Sequence, residues 1–327
     1  MSDDLNRYNP PFSRPKKPEL AHLSAINDRP ELTDKVRAYV RESLSPSTQI
    51  AYLSDLLHFE GWGGRIPASP ETVAEYIVAH ADSLSVATLN RRLAAISKAH
   101  RSHGLATPTS TELVKSTVQG LRRIKGSAQR QAKPLMKEDL VAVLDVIGGR
   151  PKDVRDCALL LLGFAGGFRR SELVGLACTD VEPVRQGIVV NLRRSKTDQN
   201  GEGRKIGIPR AKGRWCPVAS LEQWLDRSGI TEGALFRPID RHHRIGMKPL
   251  SGEAVCLIVR DRVRSAGINP VGYSGHSLRA GLATSAAQAG VSSWKIRQQT
   301  GHASDAMLAR YIRDGELFTA NAAGALL

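Results

Sequence analysis

Eight consecutive residues, Gly126-Ser127-Ala128-Gln129-Arg130-Gln131-Ala132-Lys133, carry two positive charges and no large apolar side chain. Such a segment has nothing to bury, so the apolar patterns on either side of it must close two separate cores. The chain of 327 residues is long enough for both. This reading divides it into an N-terminal arm at 1–30, a first domain at 31–125, a linker at 126–133 and a second domain at 134–327. The arm holds Pro10, Pro11, Pro15, Pro18 and Pro30 among polar and charged residues, a composition that predicts flexibility.

From Glu31 apolar residues recur at helical spacing. Val36, Tyr39, Val40 and Leu44 form one stripe. Ser47 precedes a second, with Ile50, Tyr52, Leu53, Leu56, Leu57 and Phe59, which the glycines between Gly61 and Gly64 interrupt. Amphipathic stretches at Pro70 to His80, Val86 to His103 and Thr111 to Ile124 complete an all-helical bundle. Beyond the linker, helices are expected at about Lys137 to Ile147 and Asp153 to Ala165. The alternation in Ile188-Val189-Val190-Asn191-Leu192, the turn-rich Thr197 to Gly203, and Lys205-Ile206-Gly207-Ile208 predict a small antiparallel hairpin with Lys196 on its flank. Helices resume at Pro217 to Ser228, Ser251 to Ala266, Ser277 to Ala289, Ser292 to Thr300 and Ser304 to Arg313, with a short one near Leu317 to Ala323. The expected fold class is mainly α: a helical bundle, then a helical domain carrying a small antiparallel sheet.

Forty-seven Lys and Arg against 32 Asp and Glu give a formal charge of +15. Positive charge of that size raises encounter rates with polyanions. It is spread over both halves, with 18 basic and 13 acidic side chains up to Ala132 and 29 and 19 after it, which favours two domains acting on one nucleic acid over a single basic tail. Cys157, Cys178, Cys216 and Cys256 are scattered and form no C-x-x-C pair, so they read as packing residues of a cytoplasmic protein. No apolar run is long enough to span a bilayer, and the N-terminus does not read as a secretory signal.

The chemistry concentrates near the C-terminal end. His276-Ser277-Leu278-Arg279 places an imidazole and a guanidinium on one helical face. Gly301-His302 adds a second imidazole, and Tyr311 follows nine positions later. Upstream, Arg169 stands after Gly166-Gly167-Phe168, with Glu172 three positions on, and Lys196 lies in Arg193-Arg194-Ser195-Lys196-Thr197. A general acid or base, fixed cations, a second donor and a nucleophilic hydroxyl are what metal-free attack on a phosphodiester requires. Each residue also has a plain alternative: a solvated helix start for Arg169, a turn-capping histidine at His302, a core aromatic at Tyr311. Arg170, Tyr273 and Lys205 are the rivals for Arg169, Tyr311 and Lys196. His242 and His243 could suggest a metal site, but no Asp, Glu or Cys ligand pattern accompanies them, and they read as loop residues.

The order Arg169, Lys196, His276 with Arg279, His302 and Tyr311 resembles the tyrosine recombinase (phage integrase) family from about Glu31 onward; members carry histidine or tryptophan at the position of His302. The resemblance implies a core-binding (SAM-like) DNA-binding domain and a catalytic domain forming a C-shaped clamp on double-stranded DNA at a specific recombination site, with four protomers assembling on DNA and neither metal nor cofactor. It also implies roles. Tyr311 attacks the scissile phosphate, Arg169 and Arg279 hold the charge on phosphorus, His276 assists proton transfer, His302 donates to a non-bridging oxygen, Lys196 protonates the leaving oxygen and Glu172 orients Arg169. Leu317, Phe318, Leu326 and Leu327 supply an apolar end suited to docking on a neighbouring protomer. The competing readings are a type IB topoisomerase, which shares the chemistry, and a non-catalytic DNA-binding protein, which would leave the ordered set unexplained.

Overall fold

The structure, a computed structural model, describes residues 33–126, 131–192, 203–302, 304, 306–309 and 311, with the backbone alone at 41. The expected arm, Lys196 with the turn around it, and the apolar end lie outside these residues. Contacts divide the chain between Arg130 and Gln131 into two compact units.

The first unit is built from helices α1 (Asp34–Glu42), α2 (Pro46–Trp62), α3 (Pro70–Ala79), α4 (Val86–Ser102) and α5 (Glu112–Lys125). The local code for three of them is the same. Ser45, Ser69 and Ser85 sit at N-caps and accept the amides of Thr48, Thr72 and Thr88 at 3.3, 3.2 and 3.1 Å, which satisfies a donor that the first helical turn leaves unpaired. Pro46 and Pro70 add the fixed φ suited to a first helical position. The second helix thus starts from Ser45, two residues before the serine expected to precede it, because Pro46 is a helix starter here. Phe59, Val73, Tyr76, Leu89, Ile96 and Val114 close the core between α2, α3, α4 and α5.

The second unit is organised around α7 (Pro151–Gly166), whose Ala158, Leu159, Leu160 and Leu162 are wholly buried. Packed with it are α6 (Lys137–Asp145), the short α8 (Arg170–Gly175), α9 (Pro217–Ser228), α10 (Gly252–Ser265), α11 (Ser277–Gln288) and α12 (Ser293–Thr300). A buried ion network ties α7 to α10: Arg262 Nη2 lies 2.7 Å from Asp153 and 2.6 Å from Asp156, which also pairs with Arg155. The apolar run Ala280-Gly281-Leu282-Ala283 lets α11 approach closely. A Cβ at Gly281 would collide with the carbonyl oxygen of Leu135, whose amide donates to the Ser277 carbonyl at 2.9 Å.

The expected hairpin is a three-stranded antiparallel sheet in the order β1 (Val181–Val184), β2 (Gly187–Leu192), β3 (Arg204–Pro209). Strand β1 escaped the sequence reading because Val-Glu-Pro-Val is short, largely exposed and contains a proline, which removes a ladder donor and is tolerated at a sheet edge. Strand β3 alternates correctly: Arg204, Ile206 and Ile208 share the inward face and Lys205 and Gly207 the outward one. No helix among the described residues is long and apolar enough to cross a membrane.

Candidate active site

Helix α7 ends at Gly167 in the left-handed conformation (φ 57°), which turns the chain into α8. Arg169 caps α8. The carboxylate of Glu172, one turn on, accepts the Arg169 backbone N–H at 2.8 Å and its Nη1–H at 2.6 Å, so one acidic side chain both starts the helix and holds the guanidinium. Arg169 Nη2 also donates to the carbonyl of Gly301 at 2.9 Å.

Arg279 lies on α11, 1% exposed. Its Nη1 donates to the carbonyl of Gly167 at 2.8 Å and to that of Thr300. These are the C-terminal ends of α7 and α12, where unpaired carbonyls attract a cation. His276 precedes α11, and its Nε2 is 2.7 Å from the Tyr311 hydroxyl. His302 follows Gly301, the left-handed cap of α12 (φ 67°), with its ring centroid 5.4 Å from that of Tyr311. Tyr311 has helical backbone, and its ring packs on the cluster of Ala283, Ala287, Ile296 and Leu308.

Arg169, Glu172, His276, Arg279, His302 and Tyr311 are therefore gathered in one place, while Lys196 lies outside the described residues. Two rivals are turned elsewhere. Tyr273 is wholly buried and donates to Asp139 at 3.1 Å. Arg170 points to Cys256 Sγ (3.2 Å) and Glu253 (3.6 Å). Lys205 is exposed on β3 opposite Asn191. His242 and His243 occupy an exposed turn in which Asp240 accepts the amides of His242 and Arg244 at 2.8 and 3.0 Å.

Sequence reasoning missed two members of the cluster. Arg204, from β3, lies 3.4 Å from Glu172 Oε2 and donates to Gln299 O at 3.1 Å, and a Cβ at Gly301 would strike its guanidinium. Its shared parity with Ile206 and Ile208 was the available signal, masked by its position in a run of charged and glycine residues. Thr300, two residues before His302, is wholly buried beneath that ring. A single hydroxyl before a glycine carries no sequence signal of this kind.

The electrostatics favour an anion. Arg169 and Arg204 pair with the Glu172 carboxylate at 2.6 and 3.4 Å, and the Arg279 guanidinium lies close enough to feel all three charges. Burial, then the neighbouring Arg169, pushes Arg279 down to about 10. Burial, followed by Arg279 and Arg169, lowers His276, and the same causes push His302 down to about 3. Both histidines are thus neutral near pH 7 in the free site. An unfolded chain takes up these protons near pH ~6.5 and the folded site refuses them, so stability is full above that pH and falls as pH drops below it toward the folded values. The urea midpoint of the wild-type protein should decline between about pH 7 and pH 5, and His302→Gln should make the decline smaller. An identical decline in both proteins would remove His302 as its source.

Residues 133–316 match the model of the phage integrase family. An integrase/recombinase xerD homolog of Selenomonas ruminantium is 38% identical over 313 residues, covering 93% of this chain and 92% of the relative. Recombinase cre of Escherichia phage P1 is 25% identical over 269 residues, covering 76% of this chain and 77% of its own. Among solved structures, a XerH site-specific recombinase bound to its palindromic difH substrate in a post-cleavage complex shares the fold, with a TM-score of 0.62 and 14% identity, over 86% of this chain and 81% of that one. With the family pattern matched across more than half its length and a relative similar along nearly all of it, the chain belongs to the phage integrase family of tyrosine recombinases.

Proposed function

We propose that this site-specific DNA recombinase cleaves and rejoins strands through Tyr311. The observation that carries the assignment is the 2.7 Å contact between the Tyr311 hydroxyl and His276 Nε2, beside the buried Arg279 and two partly buried guanidiniums that share one carboxylate. A phenol becomes a competent nucleophile when a positioned base takes its proton. A neutral His276 can accept it. The Tyr311 oxygen then bonds to phosphorus, the 5′-oxygen leaves, and a 3′-phosphotyrosyl link with a free 5′-hydroxyl results. Attack by the 5′-hydroxyl of a second strand reverses the step onto a new partner, so the bond energy is conserved and the chemistry calls for neither ATP nor metal. Arg169, oriented by Glu172, and Arg279 stabilise charge on the pentacoordinate phosphorus. His302 donates to a non-bridging oxygen, and Lys196 protonates the leaving oxygen.

The wider reading follows from the resemblance. The unit before the linker binds the core of the site and the unit after it is catalytic; the protein works in the cytoplasm and forms a homotetramer on DNA, which light scattering on site-bearing duplexes would read as four protomers or fewer. Type IB relaxation is the competing activity.

The test is to trap protein-linked fragments from plasmid and genomic DNA in excess EDTA and sequence their ends. The expected result is 3′-linked adducts with 5′-hydroxyl ends at one short recurring sequence. Adducts at scattered sequences with relaxation of supercoils would favour the topoisomerase reading. Cleavage that requires magnesium would remove the tyrosyl mechanism.

A further inference from the structure

The Thr300 hydroxyl makes two short contacts, 2.6 Å to the carbonyl of Ile296 and 2.7 Å to His302 Nδ1. A carbonyl only accepts, so the single hydroxyl proton is committed to Ile296, and the second contact forms only if Nδ1 carries the hydrogen. In a neutral imidazole that leaves Nε2 with a lone pair and no hydrogen.

We propose that Thr300 is a positioning residue that fixes His302 in the Nδ1–H tautomer, so that Nε2 reaches the reaction centre as a proton acceptor and donates to a phosphate oxygen only after taking up a proton from solvent. The inference rests on His302 being a phosphate ligand. It makes His302 different from a ligand whose outward N–H is always present, because its contact to phosphate is coupled to protonation.

The surroundings supply that coupling. Arg279 from α11, Arg169 at the start of α8 and Arg204 from β3 act on His302, as does His276 before α11, while the Tyr311 ring lies tilted beside its own and Arg297 of α12 donates to its carbonyl at 3.0 Å. Burial first, and then these cations, disfavour an imidazolium in the protein alone. A phosphodiester seated among them brings negative charge that offsets the cations and favours the imidazolium. Thr300 is suited to hold the ring through this change. It is wholly buried, its carbonyl accepts from Arg279, and its methyl lies 3.0 Å from where a Cβ on Gly167 would be.

The first test needs no substitution at Thr300. In the full-length protein labelled with ¹⁵N in its imidazoles, the His302 signals are those that vanish in His302→Ala. At neutral pH they should show a protonated Nδ1 and a bare Nε2; a protonated Nε2 with bare Nδ1 overturns the proposal. Thr300→Val, which keeps the shape and the backbone carbonyl but removes the acceptor, should shift the ring toward a mixture of tautomers, and Thr300→Ser should restore the original pattern.

The second test is kinetic. Thr300→Val should slow adduct formation about tenfold, part of the ~10²–10⁴ that a positioned acid or base contributes. Thr300→Ser should recover the rate. In a His302→Ala background the valine should have no further effect, since both changes remove one function. Equal slowing in both backgrounds would mean that Thr300 acts through packing or Arg279, and sinks the idea. Failure of the wider reading looks different: the wild-type protein would form no adduct while the tautomer result stood.

Discussion

Tyr311→Phe is expected to abolish covalent attachment to DNA while leaving binding to the same site nearly unchanged. The substitution removes one oxygen. The ring keeps its packing against Ala283, Ala287, Ile296 and Leu308, and the 2.7 Å hydrogen bond between the hydroxyl and His276 disappears. A single hydrogen bond contributes about 1 kcal/mol net, too little to unfold the unit. The chemical effect is far larger, because deleting a nucleophile lowers rates by on the order of 10⁶. The nearest rival cannot substitute: Tyr273 is sealed in the core, under Lys133 Nζ at 4.9 Å from its ring centroid and bonded to Asp139. A denaturing gel reads the outcome. A slow-migrating protein-DNA band that persists in the phenylalanine variant would show that another side chain carries the DNA.

How much of this could be read from the residues depends on how local the cause is. The longer helices of both units were legible because their stripes repeat at the helical period, and several start at a serine or proline, as at Ser69, Ser85, Pro217 and Ser251. Arg169 and Glu172 were legible as a pair because three positions along one helix start bring them together. His276 and Arg279 were legible for the same reason. Strand β1 was not, since its pairing with β2 comes from the neighbouring strand and not from its own alternation. Arg204 and Thr300 were not, because their roles arise where β3 and the end of α12 meet the start of α8, residues far apart in the chain. Tyr311 and His302 lie between these extremes. Each alone reads as an ordinary core or turn residue, and only the ordered set distinguished them. The contact between Tyr311 and His276, 35 positions apart, is then a product of the fold.

Arg279→Met should separate catalysis from stability. Two opposite effects act on the folded state. The Gly167 and Thr300 carbonyls lose their donor, at about 1–3 kcal/mol each where buried groups go unpaired. Against this, the substitution removes a wholly buried cation held near Arg169 and Arg204 with Glu172 as the carboxylate they share, a placement that burial and like charge make costly by several kcal/mol. The effects are of similar size, so the melting temperature should stay within a few degrees of the wild-type value. Function has no such compensation. A guanidinium that stabilises transferring phosphoryl charge is worth roughly 10³–10⁵ in rate, and methionine supplies none of it. Adduct formation should therefore collapse in a protein that remains folded. Sulfate offers a check on the same electrostatics: it should raise the melting temperature of the wild type more than that of Arg279→Met, because only the wild type retains the full set of cations that an anion relieves. A fall in melting temperature on the order of 10 °C with no sulfate response in the wild type would mean that Arg279 is structural support for the two helix ends and that the cluster was not built for a phosphate.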